Sequence, residues 1–176
     1  MTDTLGRILT IILAAVMLFI MPTMFVGLKE EKSIQIYVDD AVTEFVDRSN
    51  AIGYISEENY LKFTQRLSNT GLLYDVEIVH YNAIALPDTE HASPAEYITQ
   101  YEATYTEDIL SSVFPDNASD GLYQMKNGDF LSVSLTNKTS TIGMQIYNFL
   151  VGRISNTIKT IKTTYGGYVG GVYLGD

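Results

Sequence analysis

The sequence contains no cysteine and no tryptophan, and only two histidines and four prolines among 176 residues. Without cysteine the chain has no thiol nucleophile, no disulfide and no thiolate metal centre. His80 and His91 are therefore the only groups left for imidazole chemistry. These absences exclude cysteine hydrolases, zinc fingers and iron–sulfur proteins.

Positive charge is also scarce. The chain has 11 Lys and Arg against 21 Asp and Glu, a formal net charge of −10. A protein with this excess of acid repels the phosphate backbone, so a nucleic-acid partner is excluded. The length leaves room for one domain after any targeting segment.

A long uncharged run occupies residues 8–28, between Arg7 and Lys29. As a helix it would measure about 30 Å, the thickness of the hydrocarbon core of a bilayer. The run predicts a single transmembrane helix, and a cleaved secretory signal and a buried core helix are the less favoured alternatives. The expected anchor residues are Ile8, Ile12, Leu13, Val16, Leu18, Phe19, Pro22 and Phe25.

The position of this run also predicts a localisation. Nearby Lys and Arg do not decide the orientation. A very short N-terminal tail is a poor candidate for translocation, so we expect it to be cytoplasmic and the rest of the chain to be external. The prediction is a single-pass cell-membrane protein with an extracellular domain, and Pro22 is expected to kink its helix.

The remaining chain predicts an amphipathic stalk helix over residues 29–54 and an extracellular domain over 55–176, after a tail and transmembrane helix over 1–28. Ser56 is expected to cap a helix over 57–68 because acids follow it directly. Residues 72–81 alternate as a half-buried strand, which includes His80. We favour a structural role for His80 over a ligand or base, and a solvated loop over a metal site for His91.

A tyrosine stripe lies in residues 93–105, a segment with both helix and strand features, for which strand is favoured. Its members Tyr97, Tyr101 and Tyr105 share one side under either period. They form either an interaction platform or, as the favoured interpretation, the core-facing side of the domain.

The last third of the chain predicts a helix over 106–114, a hairpin of strands 122–125 and 130–136 around Asn127–Gly128, a helix over 141–154 and a final strand within 157–174. The loop at 116–121 matches the calcium-loop pattern poorly, and a polar turn is favoured there. The predicted fold class is therefore α+β, pilin-like: a long N-terminal transmembrane and stalk helix, short helices and a mainly antiparallel sheet.

Charge is distributed unevenly along the domain. Ten acids and no base lie between Arg66 and Lys126, whereas four bases and no acid lie between Asp129 and Asp176. These bases are Lys138, Arg153, Lys159 and Lys162. Complementary halves favour head-to-tail contacts between copies, although the two halves could equally pair within one fold.

Three segments carry a family resemblance: residues 8–28, 55–81 and 123–139. In order and spacing they resemble the membrane-anchored pilin-like proteins of tight-adherence (Flp-type) pilus and secretion clusters in Gram-positive bacteria. The resemblance implies an export-side membrane location and partners from a pilus machine. It implies no catalytic activity.

One departure from that family lies at the N-terminus. Processed pilins carry a small residue at the cleavage point, which Gly6 could supply, and a glutamate five positions further on, where this chain has Ile11. The departure favours an accessory or minor subunit over a processed major pilin.

The sequence thus predicts a non-enzymatic, membrane-anchored, pilin-like subunit or accessory component of a surface pilus or secretion assembly. The expected partners are the membrane, further pilin-like subunits including itself, and the secretion machinery, with no cofactor, metal or small-molecule substrate. The alternative is an anchored extracellular module that binds a cation or a glycan.

Overall fold

The computed structural model describes residues 2–87, 97–115, 120–141, 143, 145 and 161–170. Their helices and strands are, in chain order, α1 (Thr2–Ile52), β1 (Tyr54–Ser56), α2 (Glu57–Ser68), β2 (Tyr74–Pro87), β3 (Tyr97–Tyr105), α3 (Thr106–Val113), β4 (Leu122–Gln124), β5 (Phe130–Asn137) and β6 (Lys162–Tyr168).

A four-stranded sheet with the order β3-β2-β5-β6 forms the centre of the fold, and every neighbouring pair is antiparallel. Alternate residues of its central strands are buried, because successive side chains of a strand point to opposite faces. The second part of α1 packs on that buried face. The core includes Val38, Val42, Phe45 and Val46 of α1 and Ile78, Leu131, Val133 and Leu135 of the sheet. The predicted α+β class with antiparallel sheets is confirmed.

The predicted transmembrane helix is wrong. Among the described residues, no helix combines the length and the apolar character that crossing a membrane requires. The uncharged run belongs to a 51-residue helix that continues without a break into a charged segment. The single-pass membrane localisation based on this helix is contradicted with it.

The helix α2 is confirmed at its predicted bounds, and its cap explains them. The hydroxyl of Ser56 accepts a hydrogen bond from the backbone N–H of Asn59, at 3.2 Å. Arg66 then ties α2 to α1 through an ion pair with Asp40 at 2.7 Å and a second one with Glu44. Its guanidinium also lies over the ring of Tyr37, 5.2 Å from the centroid.

The predicted hairpin of β4 and β5 is wrong. The strand β4 pairs instead with β1, in a separate two-stranded sheet with Tyr54 opposite Gln124. The reason is that β5 lies between β2 and β6, so neither of its edges is open to β4. The tight turn itself is present, since Gly128 has φ +94° and the N–H of Asp129 bonds to the carbonyl of Lys126.

Other predictions have mixed outcomes. The strand interpretation of the tyrosine segment is confirmed by β3, and the helix at 106–114 by α3. Thr106 does not cap α3, because its hydroxyl bonds to the backbone of Ile78. The positions that lie outside the described residues are His91, Arg153, Lys159, residues 116–119 of the predicted turn and most of the predicted helix at 141–154.

Candidate interaction surfaces

The first part of α1 is an exposed apolar segment, which we call the apolar arm (residues 5–26). Its described large hydrophobic side chains are 44–72% exposed. They include Leu5, Ile8, Leu9, Ile11, Ile12, Leu13, Val16, Met17, Leu18, Met21, Phe25 and Val26. At 100° per residue these positions fall on every side of the helix, which is the pattern of a helix buried all round.

The predicted anchor and processing residues all lie on this arm. Phe19 and Pro22 are exposed with the others, and Pro22 lies inside the continuous helix. Gly6 is exposed in the first turns, where its carbonyl accepts a hydrogen bond from the hydroxyl of Thr10 at 2.8 Å.

The arm ends at a close contact between two glycines. Gly27 is buried, and a Cβ placed on it would lie 2.7 Å from the Cα of Gly143, which is itself helical. Only glycine at both positions lets the two backbones approach this closely. The contact marks the point where α1 passes from the exposed arm to the packed part.

A row of aromatic rings crosses the solvent-facing side of the four-stranded sheet. Tyr81, Phe130 and Tyr168 lie opposite one another on β2, β5 and β6. The ring centroids of Tyr81 and Phe130 are 6.1 Å apart, and those of Phe130 and Tyr168 are 5.0 Å apart. Gly166 leaves space for this row, since a Cβ there would come within 2.7 Å of the Phe130 ring.

The tyrosine stripe of β3 extends this surface. Tyr101 is 48% exposed and Tyr105 57% exposed, so the core-facing interpretation is wrong for both. They pair with Ala83 and Val79, which belong to the side of β2 opposite the buried Ile78. Tyr97 begins the same strand, and its side chain lies outside the described set.

The predicted basic surface residues are only partly described. The ammonium of Lys138 lies 3.1 Å from the carboxylate of Asp75, and both side chains are exposed. Lys162 begins β6 at the sheet edge opposite β3, and its side chain is exposed.

A buried polar network was missed by the sequence analysis. The ring of His80 bonds through Nδ1 to the hydroxyl of Tyr123 at 2.8 Å and through Nε2 to Asp129 at 2.9 Å. His80 is 4% exposed and Asp129 1% exposed. The carboxylate of Asp129 also accepts the backbone N–H groups of Lys126 at 2.7 Å and Ala83 at 3.0 Å.

The electrostatics of Asp129 follow from these contacts. Burial opposes its ionisation, but the N–H groups of Lys126 and Ala83 and the ring of His80 outweigh burial and hold its pKa below the ordinary value. Burial raises the pKa of Tyr123. Both ring nitrogens of His80 have hydrogen-bond partners inside the fold. Since Asp129 bonds to His80 and to the backbone of Ala83, the network attaches the 125–130 turn to β2. The feature of the sequence that indicates this network is the polar His80 on the buried side of a strand.

No described group of histidine and acidic residues could hold a metal ion. Comparisons with protein-family models, with curated proteins and with solved structures find no match for the chain.

Proposed function

We propose that this chain is a non-enzymatic, pilin-like subunit that assembles with further copies of itself through the apolar arm. The observation that carries the proposal is the contrast within α1. One side of its second part is buried against the sheet, whereas large apolar side chains are exposed on every side of its first part.

Burial of the arm would offset the free-energy cost of association. Fully burying a large apolar side chain contributes about 1.5–3 kcal/mol. Covering the exposed parts of the twelve side chains given above would contribute on the order of 10 kcal/mol, comparable to the cost of association. Because these side chains point in all directions, one partner helix would cover only one side of the arm. Several arms packed side by side would cover all of them.

The absence of charge on the arm beyond Arg7 suits such packing. Between Arg7 and Lys29 the chain has no acidic or basic residue, so neighbouring arms would bring no like charges together along this stretch. A bundle of arms surrounded by α+β domains is the arrangement expected of a filament subunit or of an accessory subunit that caps or joins a filament. The buried His80 agrees with a structural role, since both of its ring nitrogens form hydrogen bonds within the fold.

The lack of native cysteine allows a direct test. Leu9→Cys and Val16→Cys place single thiols on the arm, and Glu58→Cys places one on the exposed side of α2 as a matched control. We expect oxidation of the full-length protein to give covalent dimers at both arm positions and few at the control position.

A second change separates specific packing from chance collision. Ile12→Asp in the Val16→Cys background introduces a charge into the proposed bundle and should reduce the dimer yield at least tenfold. Equal yields for the arm and control thiols, or no effect of Ile12→Asp, would contradict the proposal.

A further inference from the structure

We infer that a second interface joins copies of this chain edge to edge, with β3 of one copy pairing antiparallel with β6 of the next. This inference rests on the proposed self-assembly and adds a contact between the α+β domains. The occupant of the open β3 edge is therefore a second copy of the chain, and the four-stranded sheet continues from subunit to subunit.

None of the described strands pairs with the outer edge of β3. Ile78 exchanges hydrogen bonds with the hydroxyl of Thr106 on the β3 side, so even-numbered residues of β2 point toward β3. The register pairs them with even-numbered residues of β3. The odd-numbered residues Tyr101 and Ala103 consequently direct their N–H and C=O groups outward.

Nothing in β3 protects this edge in the ways that edge strands usually are protected. The strand contains no proline and no lysine, and its pairing with β2 runs without a bulge from Val79 opposite Tyr105 to Pro87 opposite Tyr97. Its one charged residue is Glu102. A long, regular edge of this kind is a template for pairing with another strand.

The outer edge of β6 matches that of β3 in two respects: the two strands run in opposite directions, and their outward-pointing residues carry side chains on the same face of the sheet. The carbonyl of Lys162 accepts a hydrogen bond from the side chain of Gln35, whereas the N–H of Val169 bonds to Asp129 at the end of β5. Even-numbered residues of β6 therefore point outward, including Thr164 and Gly166. Successive strands alternate in direction across the sheet, so β3 and β6 run in opposite directions.

The edge pairing fixes how adjoining copies are oriented. A copy placed beside the first in the same orientation brings its β3 antiparallel to the neighbouring β6. All copies then carry α1 on the same face of the shared sheet. Equivalent helices lie about four strand spacings, roughly 19 Å, apart, so the edge contact is separate from the arm contact, in which helices pack about 8–10 Å apart. The outward-pointing residues of both strands have their side chains on the solvent-facing side, so Tyr101 and Tyr105 would continue the aromatic row beyond Tyr168.

Charge selects this pairing over its alternatives. The part of the chain that contains β3 has ten acids and no base, and the part that contains β6 has four bases and no acid. Pairing β3 with β3 would bring two acidic halves together, Glu102 included, which is unfavourable. The contact between β3 and β6 is heterologous and leaves an open edge at each end, as filament growth requires.

The test uses two single-cysteine variants with tags of different length. Ala103→Cys marks the β3 edge and Thr164→Cys the β6 edge, and a short bismaleimide is added to each variant alone and to their mixture. Equivalent residues of adjoining copies lie about four strand spacings, roughly 19 Å, apart. We expect at least fivefold more linked dimer in the mixture, carrying both tags, than in either variant alone.

A proline substitution provides the check against misfolding. Tyr101→Pro, added to Ala103→Cys, removes an outward N–H without touching the pairing of β3 with β2, and should lower the yield of mixed dimer at least threefold. Tyr101→Thr keeps that N–H and should leave the yield unchanged. A dimer formed as readily by Ala103→Cys alone, or equal yields for Tyr101→Pro and Tyr101→Thr, would overturn the inference.

The two proposals can fail separately. Arm dimers without the mixed edge product would overturn the edge pairing and leave the proposed function standing. The mixed edge product without arm dimers would support the edge pairing and contradict assembly through the arm. Absence of both products would overturn both.

Discussion

The carboxylate of Asp129 lies 2.9 Å from Nε2 of His80, and the two residues are 49 positions apart in the chain. The same carboxylate holds the backbone of Lys126 and of Ala83. One buried acid therefore joins the start of β5, the turn before it and the middle of β2. The stability of the domain should depend on it strongly.

Asp129→Asn tests this dependence. The amide keeps one acceptor oxygen, so at least one of the three donors around the carboxylate loses its partner in the interior. We expect a loss of about 2–4 kcal/mol in the free energy of unfolding, measured by urea denaturation. Asp120→Asn, at an exposed position, should change it by less than about 0.5 kcal/mol. A similar small loss for Asp129→Asn would show that the network does not hold the turn.

The pH dependence of stability gives a separate prediction. The pKa of Asp129 is lower in the folded protein than its ordinary value, so its contribution is fully present above the unfolded pKa of about 3.9. That contribution is lost as the pH falls through the folded pKa. Between pH 6 and pH 3 the melting temperature of the natural chain should therefore fall more steeply than that of Asp129→Asn. Parallel curves for the two proteins would contradict this assignment.

The glycine contact at the base of the arm can be tested by Gly27→Ala. The added methyl meets the backbone of Gly143, which cannot rotate away as a side chain can. We expect a loss of about 1–3 kcal/mol by urea denaturation, in spite of the better helix propensity of alanine. Gly6→Ala is the matched control, because nothing lies near a Cβ at that position. It should leave stability unchanged or raise it, and a loss equal to that of Gly27→Ala would contradict the contact.

Arg66→Ala should show how firmly α2 is held to α1. The guanidinium forms ion pairs with Asp40 and with Glu44 and lies over the ring of Tyr37. Its removal should therefore lower the free energy of unfolding by about 1–2 kcal/mol. Lys62→Ala removes a more exposed pair with Glu44, 3.5 Å long, and should cost less than about 0.5 kcal/mol. High salt screens these ion pairs, so the difference in unfolding free energy between Arg66→Ala and Lys62→Ala should become smaller.

Local features of the fold could be predicted from the sequence because their causes are local. Ser56 and the acids after it define the start of α2 within one helical turn. The alternation around Ile78 defines β2 in the same way. The pairing of β4 could not be predicted, because its partner β1 is a three-residue strand nearly 70 positions earlier.

The candidate interaction surfaces show the same contrast between features with local causes and features that depend on distant parts of the chain. The tyrosines of β3 were correctly placed on one side, but which side faced solvent depended on how β2 packs against α1. The partners of His80 could not be predicted, because His80 lies on β2 whereas Asp129 lies in the turn before β5, 49 positions later in the chain. The uncharged run predicts a transmembrane helix, whereas in the described structure it is the leading part of a longer helix.

The continuity of α1 has a mechanical consequence. No loop separates the arm from the packed part of α1. A pulling force applied to the arm is therefore transmitted to the domain directly along the helix axis. Three contacts with β6 or the turn after it would carry that load: Thr163 with Asp39, Tyr165 with Asp47 at 3.0 Å, and Gly170 with the carbonyl of Asn50 at 3.1 Å. They are spread over about three turns of the helix and would resist sliding of α1 along β6 together rather than one after another.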